Sequence, residues 1–356
     1  MVTAFDDIEL GKYRLANRIV MAPMSRSRAY GPDACPHPSA ATYYRQRASA
    51  GLIVTEGIQP SPAARGYPAT PGLYLPVQVD AWRKVTDEVH AAGGVIFAQL
   101  MHAGRIGHPS LLPAGTIPVG PSAVRAESQV LTPDGPKSCV EPRELDEDGI
   151  TGVIEEFVLA AQNAVAAGFD GVEIHGANGF LVHQFLSDNA NLRTDSWGGT
   201  ALGRVRFAVS LASGVCAAIG AERVGFQISP GNPYNDMVEA GCHDVYPMLV
   251  EFLDNLGLGY LSVSEGADRA LTPKLQALWS TVFMLNPYTA PGRTGPECLR
   301  LVEDGAADMI SFGAMFLANP DLPRRLAVGG PYAEPDPATF YGGDDRGYID
   351  YPALPA

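Results

Sequence analysis

Charge is scarce in this chain. Asp, Glu, Lys and Arg make up 18% of its 356 residues, where globular domains usually carry about a quarter. Apolar residues reach 46%, enough to bury a large core and too many for a disordered chain. Positive charge is the rarer sign: 25 Lys and Arg stand against 39 Asp and Glu, a net charge of −14, and no basic block interrupts the sequence. Nucleic acid and anionic membrane surfaces are therefore not expected partners. Cysteine is thin as well. Cys35, Cys139, Cys216, Cys242 and Cys298 lack CxxC or CxH spacing in a chain too long to need disulfide staples, so they read as reduced and structural. The first residues, MVTAFDD, hold neither a basic segment nor an apolar run, and no stretch approaches the roughly 18 uncharged apolar residues of a membrane span. The expected location is the cytoplasm. A two-domain doubly wound fold stays open, but no GxGxxG follows an early strand to support it.

What is present is a repeat of short apolar runs. They cover residues 19–24, 52–55, 95–100, 171–175, 224–229, 260–264, 281–285 and 308–312. Helical periodicity fills most gaps, as in Trp82, Val85 and Val89, or Ile150, Val153, Ile154, Phe157 and Ala161. Strands alternating with helices argue for a parallel sheet, and eight units argue for closure into a single (β/α)8 TIM barrel. Residues 1–15, with a turn at Leu10-Gly11-Lys12-Tyr13, suit an N-terminal hairpin covering the barrel bottom. Residues 103–147, rich in Pro, Gly and charge, exceed an ordinary connection and are expected to form a lid or insertion after strand three.

In such barrels the site lies at the C-terminal ends of the strands. That filter selects Ser25, Glu56, Gly57, Gln99, His175, Gln227 and Gly313. The richest segment is Glu173 to Leu186, EIHGANGFLVHQFL, where His175 and Asn178 leave a strand end and its turn as two hydrogen-bond donors for one substrate oxygen. Such a pair polarises a carbonyl or nitro group. A lone His is more often a satisfied core residue, and the strand-end position beside Asn and Gly argues the other way. His183 offers a second imidazole without a closely spaced third ligand, so it reads as a helix residue packed beneath the turn rather than a metal ligand.

The chain resembles the old yellow enzyme family of flavin-dependent ene-reductases over essentially its full length. The matching segments are NRIVMAPMSR (Asn17 to Arg26), AQLMHAGR (Ala98 to Arg105), His175 to Leu186, NLRTDSWGG (Asn191 to Gly199), LANPDL (Leu317 to Leu322) and GYIDYP (Gly347 to Pro352). The resemblance implies an eight-stranded barrel with FMN at its mouth and NAD(P)H as a transient reductant that needs no dinucleotide motif of its own. It implies a cofactor site built from Ala22, Pro23, Met24, Ser25, Gly57, Gln99, Gln227, Gly313 and Ala314, with Ser25 bonding the flavin O4 edge and Gln99 its pyrimidine. His175 and Asn178 would grip the acceptor oxygen, and Tyr67, Met101 and Tyr351 would line the pocket, Met101 replacing a frequent aromatic. The partner would be a small electrophilic alkene, the assembly a monomer or homodimer.

Departures from the family pattern bear on chemistry. Phe180 stands where the family carries a proton-donating Tyr. Gln227 replaces the Arg beside the flavin N1/O2 edge, removing a fixed positive charge. The phosphate-binding Gly-Arg reads Gly313-Ala314, and the preceding phosphate loop reads Asn286-Pro287-Tyr288-Thr289, so affinity for FMN is the trait these changes put in question; Arg293 lies close enough in sequence to substitute. Arg193 and Asp195 read as an ion pair fixing the loop after strand four, and Met21, Met24 and Met101 as packing residues. The leading expectation is reduction of activated alkenes such as enones, nitroalkenes and maleimides. The alternatives are a redox-neutral, isomerase-like member suggested by Phe180, and a flavin-poor, deazaflavin-using or binding variant suggested by Gln227 and Ala314.

Overall fold

The computed structural model describes residues 2–355. Eight parallel strands close into a barrel: β1 (Ile19–Met21), β2 (Leu52–Val54), β3 (Ile96–Leu100), β4 (Gly171–Gly176), β5 (Val224–Ile228), β6 (Tyr260–Ser264), β7 (Val282–Asn286) and β8 (Met309–Phe312), with β8 pairing β1. Each coincides with one of the apolar runs, with ends shifted by no more than three residues: β1 stops three short, and β4 and β7 each run one residue further.

The period of two sorts their side chains. Val20, Leu52, Val54, Phe97, Tyr260, Met284 and Met309 form the cluster inside the barrel. Their neighbours Ile19, Ile53, Ala98, Val172, Phe226, Leu261, Phe283 and Ile310 pack outward with the helices. Burying a large apolar side chain contributes about 1.5–3 kcal/mol, so a one-residue slip in any strand would be strongly unfavourable. Gly225 is required on β5 because a Cβ there would fall 2.1 Å from the Tyr260 ring. The interior register also carries polar residues upward: Gln99 lies beside Glu173, and His175 beside Gln227.

Strands Ile8–Leu10 and Tyr13–Leu15 pair antiparallel, and Leu10 and Leu15 join the interior cluster as a floor. Residues 103–147 contain two small sheets: Val119–Gly120 with Arg143–Glu144, and Gln129–Thr132 with Gly135–Ser138. The chain then enters the helix Glu147–Ala166, capped by Asp146, whose carboxylate accepts from Gly149 N at 2.8 Å. Leu111, Ala126, Val130 and Cys139 of this insertion share one apolar cluster with Met101 and Phe180.

The C-terminal tail is pinned by cations and aromatic rings. Tyr348 stacks on Tyr43 with centroids 4.3 Å apart, and the guanidinium of Arg26 lies 5.1 Å from both ring centres. Arg26 Nη2 donates to Gly347 O at 2.9 Å. One expectation needs amendment: the helix Ala201–Ile219 is long and apolar enough to cross a membrane. It includes Arg204 and Arg206, and its buried face, with Val205, Phe207, Ala208 and Leu211, packs into the core around the barrel.

Candidate active site

The floor of the barrel mouth is a polar network set by strand register. Gln99 Nε2 donates to Glu173 Oε1 at 2.8 Å and to Gln227 Oε1 at 3.0 Å, while the Tyr260 hydroxyl donates to Glu173 Oε2 at 3.0 Å. With glutamine at position 227, no guanidinium joins this group. Burial therefore pushes the Glu173 carboxyl up to about 7, against the opposing hydrogen bonds from Gln99 and Tyr260. Sequence reading passed over Glu173, although a carboxylate in the middle of an apolar strand was the available signal.

Around this floor runs a ledge of half-buried backbone, residues 22–25 above β1 and 313–314 above β8. Ala22 N bonds Phe312 O at 3.0 Å, joining the two ends of the ledge. Glu56 accepts from Arg26 N at 3.1 Å and holds the chain just past Ser25. Gly57 backs directly on Met101: a Cβ would sit 2.8 Å from its sulfur. Gln99 Oε1, Gln227 Nε2 and His175 Nε2 find no partner among the described residues, yet none is sealed from solvent. A ledge edged by unspent acceptors and donors fits a flat group with a polar rim, which is the form of the flavin ring.

The two oxygen-binding candidates have their donor ends fixed by backbone. Ala177 N donates to His175 Nδ1 at 3.2 Å. Burial, reinforced by His183, lowers the His175 imidazole to about 3. It is neutral, and its one proton lies on Nε2. Asn178 adopts φ 54°, in the left-handed region that Asn tolerates. The loop after β5 holds it three ways: its N–H donates to Ser229 Oγ at 2.8 Å, its carbonyl accepts from Asn235 Nδ2 at 2.8 Å, and its Oδ1 accepts from Asn232 Nδ2 at 3.0 Å. Asn178 Nδ2 is left without a partner among the described residues, as a second donor. His183 lies fully buried beneath the turn, its Nδ1 accepting from Gly179 N at 2.9 Å and its Nε2 3.0 Å from Glu239 Oε1, outside hydrogen-bond geometry.

Phe180 forms the apolar wall. Its ring meets His175 edge-on at 5.0 Å and Tyr67 at 6.1 Å. Tyr67 in turn neighbours Tyr234 and Asn235, and burial raises its phenol above the usual range. Tyr351 is placed elsewhere than the pocket expectation put it. Its hydroxyl accepts from Asp336 N at 2.9 Å in the C-terminal tail. Tyr341, an exposed tail residue, lies near Tyr234, and partial desolvation together with that neighbour raises its phenol. The signal for Tyr234, Asn232 and Asn235 was the turn-rich Gly231-Asn232-Pro233 following a strand end.

Arg193 and Asp195 form the expected ion pair, with Nη2 2.6 Å from Oδ2. Arg193 Nη1 also bonds Pro121 O at 2.9 Å and Leu145 O, tying the insertion to the loop after β4. Arg293 lies 3.6 Å from Glu334 in an exposed pair.

Comparison with known proteins agrees with this fold. The sequence profile of the NADH:flavin oxidoreductase / NADH oxidase family matches residues 3–332. 12-oxophytodienoate reductase 1 of Oryza sativa subsp. japonica is 39% identical over 354 residues, covering 97% of this chain and 92% of the relative. 12-oxophytodienoate reductase 2 of Arabidopsis thaliana is 35% identical over 359 residues, covering 97% and 94%. Among solved structures, morphinone reductase superposes with a TM-score of 0.93 at 39% identity, covering 99% of this chain and 96% of its own. The old yellow enzyme homologue from Zymomonas mobilis gives 0.94 at 37% identity, covering 99% and 100%. A chain matched along its length by this profile, these relatives and this barrel belongs to the NADH:flavin oxidoreductase / NADH oxidase family, the old yellow enzymes.

Proposed function

We propose that His175 and Asn178 bind the activating oxygen of the substrate in this flavin-dependent oxidoreductase, which reduces activated alkenes with NAD(P)H. The observation that carries the assignment is the matched polarity of the pair: His175 Nε2 and Asn178 Nδ2 are both left as donors by bonds to their other ends. As negative charge grows on a carbonyl or nitro oxygen, both bonds strengthen. Losing one such donor typically costs about 2.7–4 kcal/mol of transition-state stabilisation.

FMN supplies the hydride chemistry when bound. Ala22 to Ser25, Gly57, Gln99 and Gln227 are the residues we assign to its ring, and Gly313 with Ala314 to the phosphate end. On this reading that end has no dedicated guanidinium among the described residues: Arg269 lies 3.1 Å from Glu265 and Arg293 3.6 Å from Glu334. We infer that FMN is held mainly through its ring. Phe180 offers no proton, so the α-carbon takes its proton from water or from another pocket residue, and Phe180 with Met101 and Tyr67 shapes the apolar side of the pocket. We take the protein as one barrel domain with residues 103–147 as its lid, because that insertion shares its apolar cluster with Met101 and Phe180.

The test is titration of the FMN-loaded protein with 4-nitrophenol, whose phenolate presents an oxyanion to both donors. The double variant His175→Ala, Asn178→Ala should lose binding. Unchanged affinity in that variant rejects the assigned roles.

A further inference from the structure

Asn178 can serve as a donor only if its amide presents the NH2 end to the ligand, and an amide can rotate by half a turn at little intrinsic cost. Something must choose the end. A backbone N–H can only donate, so it sets the polarity of whatever it bonds. Tyr234 N lies 3.0 Å from Asn232 Oδ1. The Asn232 amide is thereby oriented, and its Nδ2 faces away from that N–H. Asn232 Nδ2 is 3.0 Å from the Asn178 side chain, which must answer with Oδ1. Asn178 Nδ2 is then turned to the open side of the site.

We propose that Asn232 is a positioning residue that fixes the donor polarity of Asn178, relaying the direction of the Tyr234 N–H across two side-chain amides. The inference rests on the assignment of Asn178 to the substrate oxygen. It adds that a residue 54 positions away, on the loop after β5, decides whether Asn178 attracts or repels an oxyanion. The loop is built to hold this geometry. Asn235 takes the Asn178 carbonyl, and Asp236 accepts from Glu127 N at 3.0 Å and from Asn189 Nδ2 through its carbonyl at 2.7 Å.

The proposal orders three variants in a way a purely structural role does not. Asn232→Asp keeps an acceptor for Tyr234 N but offers only acceptors to Asn178, so the Asn178 amide should rotate and aim its oxygen at the ligand. Asn232→Ala leaves the amide free, and a ligand can select the productive end at the expense of about twofold in affinity. Asn232→Ser, whose hydroxyl can donate, should stay within about threefold of the parent. With 4-nitrophenol and the FMN-loaded protein, Asn232→Asp is expected to weaken binding at least tenfold, more than Asn232→Ala, by setting acceptor against oxyanion (~1.4 kcal/mol or more). If the residue merely props the loop, the order reverses, because Asp preserves the bond to Tyr234 N. In an Asn178→Ala background neither substitution should have a further effect; an undiminished effect there overturns the proposal.

The underlying assignment fails separately, if Asn178→Ala alone leaves 4-nitrophenol binding unchanged. A measurement on the unmodified chain guards against a variant that does not fold. In side-chain amide NMR spectra of the loaded protein, the Asn178 NH2 signals should move on adding 4-nitrophenol while the Asn232 NH2 signals stay in place. Movement of Asn232 alone would mean that the relay runs the other way.

Discussion

The ring of Phe180 stands edge-on to the imidazole of His175, centroids 5.0 Å apart and planes at 83°. The contact gives the histidine proposed to bind the substrate oxygen an apolar neighbour at the position where the family pattern carries a phenol. It helps keep His175 desolvated and neutral, and it leaves that wall of the site without an acid.

Phe180→Tyr should therefore speed alkene reduction where protonation limits the rate. General acid catalysis is worth about 10²–10⁴-fold, so single-turnover reduction of a simple enone should accelerate visibly while reduction of the flavin by NAD(P)H stays nearly constant. Substrates forming stabilised nitronates should gain less. Equal enone rates in both proteins, with a large solvent deuterium effect in each, would show that another donor already serves.

Glu173→Gln should change how stability depends on pH. A carboxyl raised from 4.5 to about 7 contributes stability that is full below 4.5 and is lost as pH rises through 7. The interval is worth about 3 kcal/mol at 1.36 kcal/mol per pH unit. The stability of the variant relative to the parent should rise by about that much between the two limits, measured by urea unfolding. Glu56, also raised to about 7 by burial, remains in both proteins and cancels from the difference. A difference that does not vary with pH would mean that Glu173 is ionised in the fold.

Arg193→Ala should loosen the insertion. The substitution removes bonds to Pro121 O, Leu145 O and Asp195 and leaves two buried carbonyls unanswered, at a cost of about 2–4 kcal/mol. Limited proteolysis should cut within residues 103–147 faster than in the parent. Unchanged cleavage with unchanged stability would remove Arg193 from this role.

Ala314→Arg should tighten FMN. A guanidinium supplied at the phosphate end adds a charge-assisted bond, and the dissociation constant from fluorescence titration should fall by about tenfold. Equal affinity would indicate that the phosphate is already bound by groups outside Gly313 and Ala314.

Composition and periodicity determined a great deal. Apolar runs of strand length separated by helical repeats argue for a parallel sheet covered on both faces, and eight such units argue for its closure into a barrel. The polar residues at their ends then converge on one rim, which is why Gln99, His175 and Gln227 could be read as neighbours before any coordinates. Tertiary structure decided the matters of direction. It placed Tyr341, rather than Tyr351, near Tyr234, through the fold of a tail pinned by Arg26. It put Glu173 between the Gln99 amide and the Tyr260 phenol, with no cation bonded to it among the described residues. It aimed the two donors, because the groups that orient His175 and Asn178 are backbone N–H vectors and a distant loop amide. Their geometry depends on register and on loop closure, and residue type along the chain does not encode it.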